Sequence, residues 1–165
     1  CADGLGAFMA AAVNHCRSGE DRAVIVGVEP IDADYVQVSA LEGDTTHVAW
    51  PQRSIMVSLN CGRPSLTAWP RLTSGIDWLV ADDAAAAKVA MRDLSDAAVA
   101  AGETGAACLA GFDALLADEN ARAALLDLST ATILVVAEGA TGPANFEAIV
   151  RRSPESVGRV LTAID

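Results

Sequence analysis

Short apolar runs alternate along this chain with stretches whose apolar positions recur at helical spacing. Three of the runs predict strands, over 23–28, 77–80 and 132–137. The last is the most informative. Its centre, Ile133-Leu134-Val135-Val136, is rich in β-branched side chains and has no polar face, so it reads as a strand covered on both sides in a parallel sheet. The run stops at Glu138-Gly139, and Thr141, Gly142 and Pro143 lead into a helix. Glu138 would stand at the carboxyl end of that strand, where open α/β sheets place their ligands. Spacing alone favours a plainer reading, an acid that caps a helix start.

Helices are predicted over 8–16, 32–41, 54–59, 65–72, 82–94, 104–116, 118–126 and 144–150. Pro70 should kink its helix unless that helix begins later. Asp82 is the expected cap of the helix that follows it. Leu109, Phe112 and Leu116 share a face of a helix with one charge, Asp113, which predicts the most enclosed helix of the chain. The alternation means an α/β three-layer sandwich with a mainly parallel sheet and helices on both faces. Glu29, Ala81 and Glu138 should follow their strand ends on one edge. Residues 1–152 form the expected domain and 153–165 a peripheral tail.

Composition narrows the function. With 11 Lys+Arg against 22 Asp+Glu, the formal net charge is -11, which argues against nucleic acid and against anionic membrane surfaces. No apolar stretch reaches the length of a membrane span, and no signal peptide is visible. Cys1, Cys16, Cys61 and Cys108 are widely spaced and fit reduced thiols in a cytoplasmic protein better than a disulfide framework or a zinc site.

Candidate chemistry is sparse. Gly4-Leu5-Gly6 before a helix, with Glu29 closing the next strand, is a partial dinucleotide fingerprint, but Met9 occupies the third glycine position. There is no Gly-x-Ser-x-Gly and no phosphate loop ending in Gly-Lys-Ser/Thr. His15 and His47 lack the spacing of a zinc pair. Cys61 has no histidine near it in sequence. Lys88 is the only lysine and lies mid-helix among alanines, which suits a solvated helix face.

Five segments taken together resemble one family. They are Ala2-Asp3-Gly4-Leu5-Gly6-Ala7-Phe8, Val26-Gly27-Val28-Glu29-Pro30, Ser54-Ile55-Met56-Val57-Ser58-Leu59-Asn60-Cys61-Gly62-Arg63-Pro64-Ser65, Ala101-Gly102-Glu103-Thr104-Gly105-Ala106-Ala107 and Glu138-Gly139-Ala140-Thr141. Their order and spacing are similar to the C-terminal part of diaminopropionate ammonia-lyase. That family belongs to the pyridoxal-phosphate enzymes with the tryptophan-synthase β-subunit fold, together with threonine dehydratase and serine racemase. The resemblance implies β-elimination from a small amino acid to pyruvate and ammonia, and a homodimer. It also implies that the Schiff-base lysine, the phosphate loop and the acid/base aspartates lie in an upstream half of the same polypeptide. No catalytic residue is then expected in this chain.

What this chain would supply is one wall of the site. Gly4 and Gly6 match the glycine turn on the substrate side, and Glu103 matches an acid near the cofactor ring. Ala137 stands where relatives carry a hydroxyl or thiol facing the pyridine nitrogen. Glu138 or a water would have to substitute there, or the cofactor is not used in the usual way. In the serine racemase branch, residues matching Glu29 and Ala33 hold a divalent cation, but the third position is Tyr35, so no metal is expected. The alternatives are a non-catalytic α/β pseudo-enzyme or interaction domain and, more weakly, a dinucleotide-binding domain.

Overall fold

A computed structural model describes residues 5–19, 23–49, 51–125 and 131–157. Strands β1 (Val26–Pro30) and β2 (Trp78–Asp82) pair in parallel, with Val26 opposite Trp78 and Pro30 opposite Asp82. Both begin a little later than the apolar pattern predicts. Pro30 is tolerated because it is the last residue of its strand.

Adjacent residues of a strand point to opposite faces, and β1 shows what covers each. A Cβ on Gly27 would meet Met9 of helix α1 (Ala7–Cys16). Val28 instead packs against Gly111 of helix α5 (Glu103–Ala117). The α1 side holds a core of Met9, Ala10, Tyr35, Val36, Ala68 and Leu72, shared with α2 (Tyr35–Glu42) and α3 (Trp69–Gly75). The α5 side holds Val28, Met56, Leu59, Ala87 and Ala107, and there α4 (Ala84–Asp96) lies beside α5. The fold is therefore α/β, a parallel sheet between two helical layers. Helix α6 (Glu119–Leu125) follows α5, and α7 (Pro143–Val150) buries Phe146 completely against α4 and α5 residues. Val157 joins that same cluster, so residues 153–157 pack onto the body of the domain.

Several expectations need correction. Residues 131–137 pair with no strand among the described residues, and Ile133 is 86% exposed. Apolar, β-branched composition states a preference for burial; it does not supply a neighbouring strand to bond with. Residues 54–59 form no α-helix, only a 3-10 turn over Val57–Leu59. Helix α3 begins late, at Trp69, which puts Pro70 in its first turn where the missing N–H costs nothing. The cap of α4 is Asp83 and not Asp82: its Oδ1 accepts from the N–H groups of Ala85 and Ala86 at 2.8 and 2.9 Å.

Helix α5 is deeply packed, but through a different face from the one its large residues mark. Ala106, Ala107 and Ala110 are buried, while Leu109 and Phe112 are only half-buried and Leu116 is 38% exposed. Alanines and glycines let the helix approach its neighbours more closely than large side chains would allow.

At the far end of the sheet, Arg17 ties α1 to the strand starts. Its guanidinium donates to the Gly75 carbonyl at 2.7 Å and pairs with Asp77 at 2.5 Å. Asp77 in turn accepts from the Ile25 N–H at 2.9 Å.

Candidate functional site

The candidate site forms where the loop carrying Glu138 lands on the start of α5. The Glu138 carbonyl accepts from the Gly102 N–H at 3.2 Å, and Gly139 makes an antiparallel bridge with Ala101. This contact needs glycine on α5. A Cβ on Gly102 would lie 2.4 Å from the Gly139 carbonyl oxygen, and one on Gly105 would lie 2.0 Å from that of Glu138. The Gly-Glu-Thr-Gly motif is thus a docking seat for the 138–139 backbone.

The Glu138 carboxylate gathers hydroxyls from three separate segments. Ser58, in the 3-10 turn, donates to Oε2 at 2.5 Å, and Thr141 donates to Oε1 at 2.7 Å. The buried Thr104 hydroxyl adds a further side-chain hydrogen bond. Partial burial raises the affinity of this carboxyl for its proton, but the three hydroxyls outweigh that effect and hold it below the ordinary carboxylate range. No ion pair reaches Glu138 among the described residues. It is an ionised carboxylate at neutral pH, stabilised by dipoles. Replacing Ser58 by Ala should move the Glu138 pKa upward, toward its ordinary value. A carboxyl ¹³C NMR titration reads this directly, and an unchanged midpoint would show that the Ser58 bond does not form in solution.

The segment between Ser54 and Ser65 connects this cluster to the glycine turn at the chain's start. Asn60 folds it back on itself, accepting from the Ser54 N–H at 3.2 Å and donating to the Ser54 carbonyl at 2.8 Å. Ser58 reaches Glu138, and the Ser65 N–H donates to the Leu5 carbonyl at 2.9 Å. Gly6 follows in the left-handed region, φ 87°, as the N-cap of α1. No side chain caps α1 and its first turn carries no acid, a setting that favours an anion.

The other expected site residues lie close in the chain to this cluster. Glu103 is the first-turn acid of α5, beside Thr104, and Ala137 is a half-buried methyl before Glu138. Gly4 lies outside the described residues. Lys88 is half-buried on α4 and takes no part in the Glu138 contacts. Glu29 lies inside β1, paired with Ala81 one residue before the strand's end and not beyond it, and its oxygens are engaged: they accept from the N–H groups of Val36 and Gln37 at 3.0 and 2.8 Å. That makes it a buried cap of α2, a poor acceptor for a ribose. His47, distant from Cys61 in sequence, is brought beside Gly62, its Nε2 3.1 Å from where a Cβ would be.

Sequence reasoning missed Ser58 as a site residue. Its one signal was a serine inside the apolar run Ile55-Met56-Val57-Ser58-Leu59.

No protein-family model matches the chain, and no curated protein does. Solved structures do. The chain is similar to the T.th. threonine deaminase, with 24% identity and a TM-score of 0.64, over 73% of this chain and 41% of that one. It is similar to maize serine racemase, with 22% identity and a TM-score of 0.59, over 66% and 32%. The fungal L-serine ammonia-lyase from Rhizomucor miehei gives 17% identity and a TM-score of 0.72, over 93% of this chain and 49% of that one. The chain spans less than half the length of each. At these identities the likeness speaks to the backbone alone: this chain carries part of the α/β fold seen in a threonine deaminase, a serine racemase and an L-serine ammonia-lyase.

Proposed function

We propose that this chain is part of a pyridoxal-phosphate-dependent ammonia-lyase that removes the β-amino group of 2,3-diaminopropionate, or of a related small amino acid, to give pyruvate and ammonia. The observation that carries the reading is the Glu138 seat. An ionised carboxylate, belted by Ser58, Thr141 and Thr104, stands at the start of α5 in a fold shared with enzymes whose names specify action on serine and threonine. The five sequence segments that resemble diaminopropionate ammonia-lyase include every residue of this belt.

The residues present suit a cofactor-bound amino acid at two charged points. Gly6, at the uncapped start of α1 in the turn that resembles the substrate side, suits the substrate's carboxylate. Glu138 suits a cationic N–H donor. Pyridoxal phosphate supplies the electron sink that β-elimination requires. Ala137 would offer the ring only a methyl contact, which leaves Glu138 as the polar group on that wall, with Glu103 beside it. The work of this chain is then to bind and orient. Proton transfer at the substrate falls to residues outside it, and a homodimer is the expected assembly.

The test is to add pyridoxal phosphate to the 165-residue chain and to the longer polypeptide, record the absorbance of lysine-bound cofactor, and map the labelled lysine after borohydride reduction. The short chain should label no lysine stoichiometrically and release no pyruvate from diaminopropionate. The longer polypeptide should do both. Stoichiometric labelling of Lys88 in the short chain, or no labelled lysine in the longer one, overturns the reading. The second result would favour a non-catalytic pseudo-enzyme, an alternative supported by the methyl of Ala137.

A further inference from the structure

We infer that Asn60 is a positioning residue of the Glu138 seat: its carboxamide clamps the base of loop 54–60 and so fixes where the Ser58 hydroxyl meets the carboxylate. The inference deepens the proposed function, and its meaning for turnover rests on that reading. Ser58 lies in a 3-10 turn, Val57–Leu59, that has no side-chain cap. Turns of this kind have poor hydrogen-bond geometry of their own. Val57, beside Ser58, is 73% exposed, so packing does not secure the turn from that side. Yet the Ser58 hydroxyl meets a carboxylate 80 positions along the chain, at 2.5 Å. A group outside the turn has to set its position.

The clamp joins the two ends of the loop. Asn60 Oδ1 accepts from the Ser54 N–H at 3.2 Å, and Asn60 Nδ2 donates to the Ser54 carbonyl at 2.8 Å. Ser54 Oγ in turn accepts from the Met56 N–H at 3.1 Å, which carries the clamp into the run before Ser58. Ser54 is buried, so its backbone groups lose their partners when the clamp opens. A carboxamide offers both the donor and the acceptor that this requires, whereas a carboxylate offers acceptors alone. Met56 and Leu59 seat the same loop in the core with Val28 and Ala107. Apolar burial is non-directional. It holds the loop at its depth and leaves the orientation of Ser58 to the clamp.

The other end of the segment has separate ties. The Gly62 carbonyl accepts from the Val48 N–H at 2.7 Å, and the Arg63 guanidinium holds the Thr45 hydroxyl. Opening the clamp should therefore be felt at Ser58 and not at the bond between Ser65 and Leu5. That difference separates positioning from a general loosening of the segment.

A carboxyl ¹³C titration of Glu138 tests this in the parent, Asn60→Ala, Ser58→Ala and the double variant. Asn60→Ala should move the Glu138 midpoint upward by as much as Ser58→Ala does. Added to Ser58→Ala, it should move the midpoint no further. The Leu5 and Ser65 amide resonances should stay at their parent positions. A midpoint unmoved by Asn60→Ala overturns the inference. So does a further shift in the double variant, or movement of the Leu5 and Ser65 amides, since a residue acting through Ser58 causes neither. If the alanine variant does not fold, Asn60→Ser, whose hydroxyl is too short to span both Ser54 groups, carries the same comparison. In the longer polypeptide, Asn60→Ala and Ser58→Ala should each lower kcat/KM for diaminopropionate by about tenfold, the scale of one charge-assisted hydrogen bond, and the double variant by no more. The expected titrations in a longer polypeptide that turns nothing over would sink the proposed function and leave the role of Asn60 standing. Turnover with titrations that Asn60→Ala does not alter would do the reverse.

Discussion

Gly105→Ala should destabilise the protein by about 3 kcal/mol, the upper end of the usual cost of over-packing. On an open helix the same substitution would stabilise, because glycine in a helix interior is about 1 kcal/mol worse than alanine. The sign reverses here because of what the new methyl meets. It would lie 2.0 Å from the Glu138 carbonyl oxygen and 3.0 Å from its carbonyl carbon. Both are backbone atoms, so no side-chain rotation relieves the clash. Either α5 or the 138–139 loop must move, and that loop carries the carboxylate that Ser58 and Thr141 hold. Urea denaturation should show the loss. The Glu138 carboxyl resonance should titrate closer to an ordinary carboxylate as its hydroxyls separate from it. Gly142→Ala is the control: its nearest neighbours are Asn145 side-chain atoms at 3.7 Å and beyond, so it should change stability little. A neutral or stabilising Gly105→Ala would mean that the loop does not rest on α5.

The same glycine illustrates what the sequence makes legible. The Gly-Glu-Thr-Gly motif stands out on inspection, and its resemblance to a family flags it further, but its purpose depends on a loop more than thirty residues later. The parallel sheet between helical layers was readable because strand and helix periodicities are local. Ser58 was not readable as a site residue because its partner is 80 positions away and its own neighbourhood is apolar. The burial of α5 was readable in kind but not in place, since large side chains mark a face only where there is room for them. Small residues at Ala106, Ala107, Ala110 and Gly111 mark the tighter contact. Residues 131–137 show the reverse limit. Composition expresses their demand for burial, whereas a strand exists only when another edge meets it.

Glu29→Gln should make stability much less dependent on pH. Glu29 is fully buried inside β1, and burial pushes its pKa up to about 7, against the two backbone N–H groups of α2 that favour the ionised form. Asp34 nearby pushes it further in the same direction. An unfolded chain would release this proton near the ordinary glutamate value of 4.5. Between those values the folded protein binds a proton that the unfolded chain does not, so stability falls as pH rises through that window. At about 1.4 kcal/mol per unit, the group contributes a loss of about 3 kcal/mol between pH 5 and pH 8. Glutamine cannot ionise, but its amide nitrogen would face one of the two N–H groups that now donate to carboxylate oxygens, at a cost of about 1–3 kcal/mol for an unmet donor. At pH 5 the variant should therefore be the less stable protein. By pH 8 it should have gained about 3 kcal/mol relative to the parent, closing or reversing the difference. Paired urea titrations at the two pH values isolate this change, because every other titrating group is common to both proteins. A difference that stays constant from pH 5 to pH 8 would show that Glu29 ionises normally and that its carboxylate is solvated in the folded state.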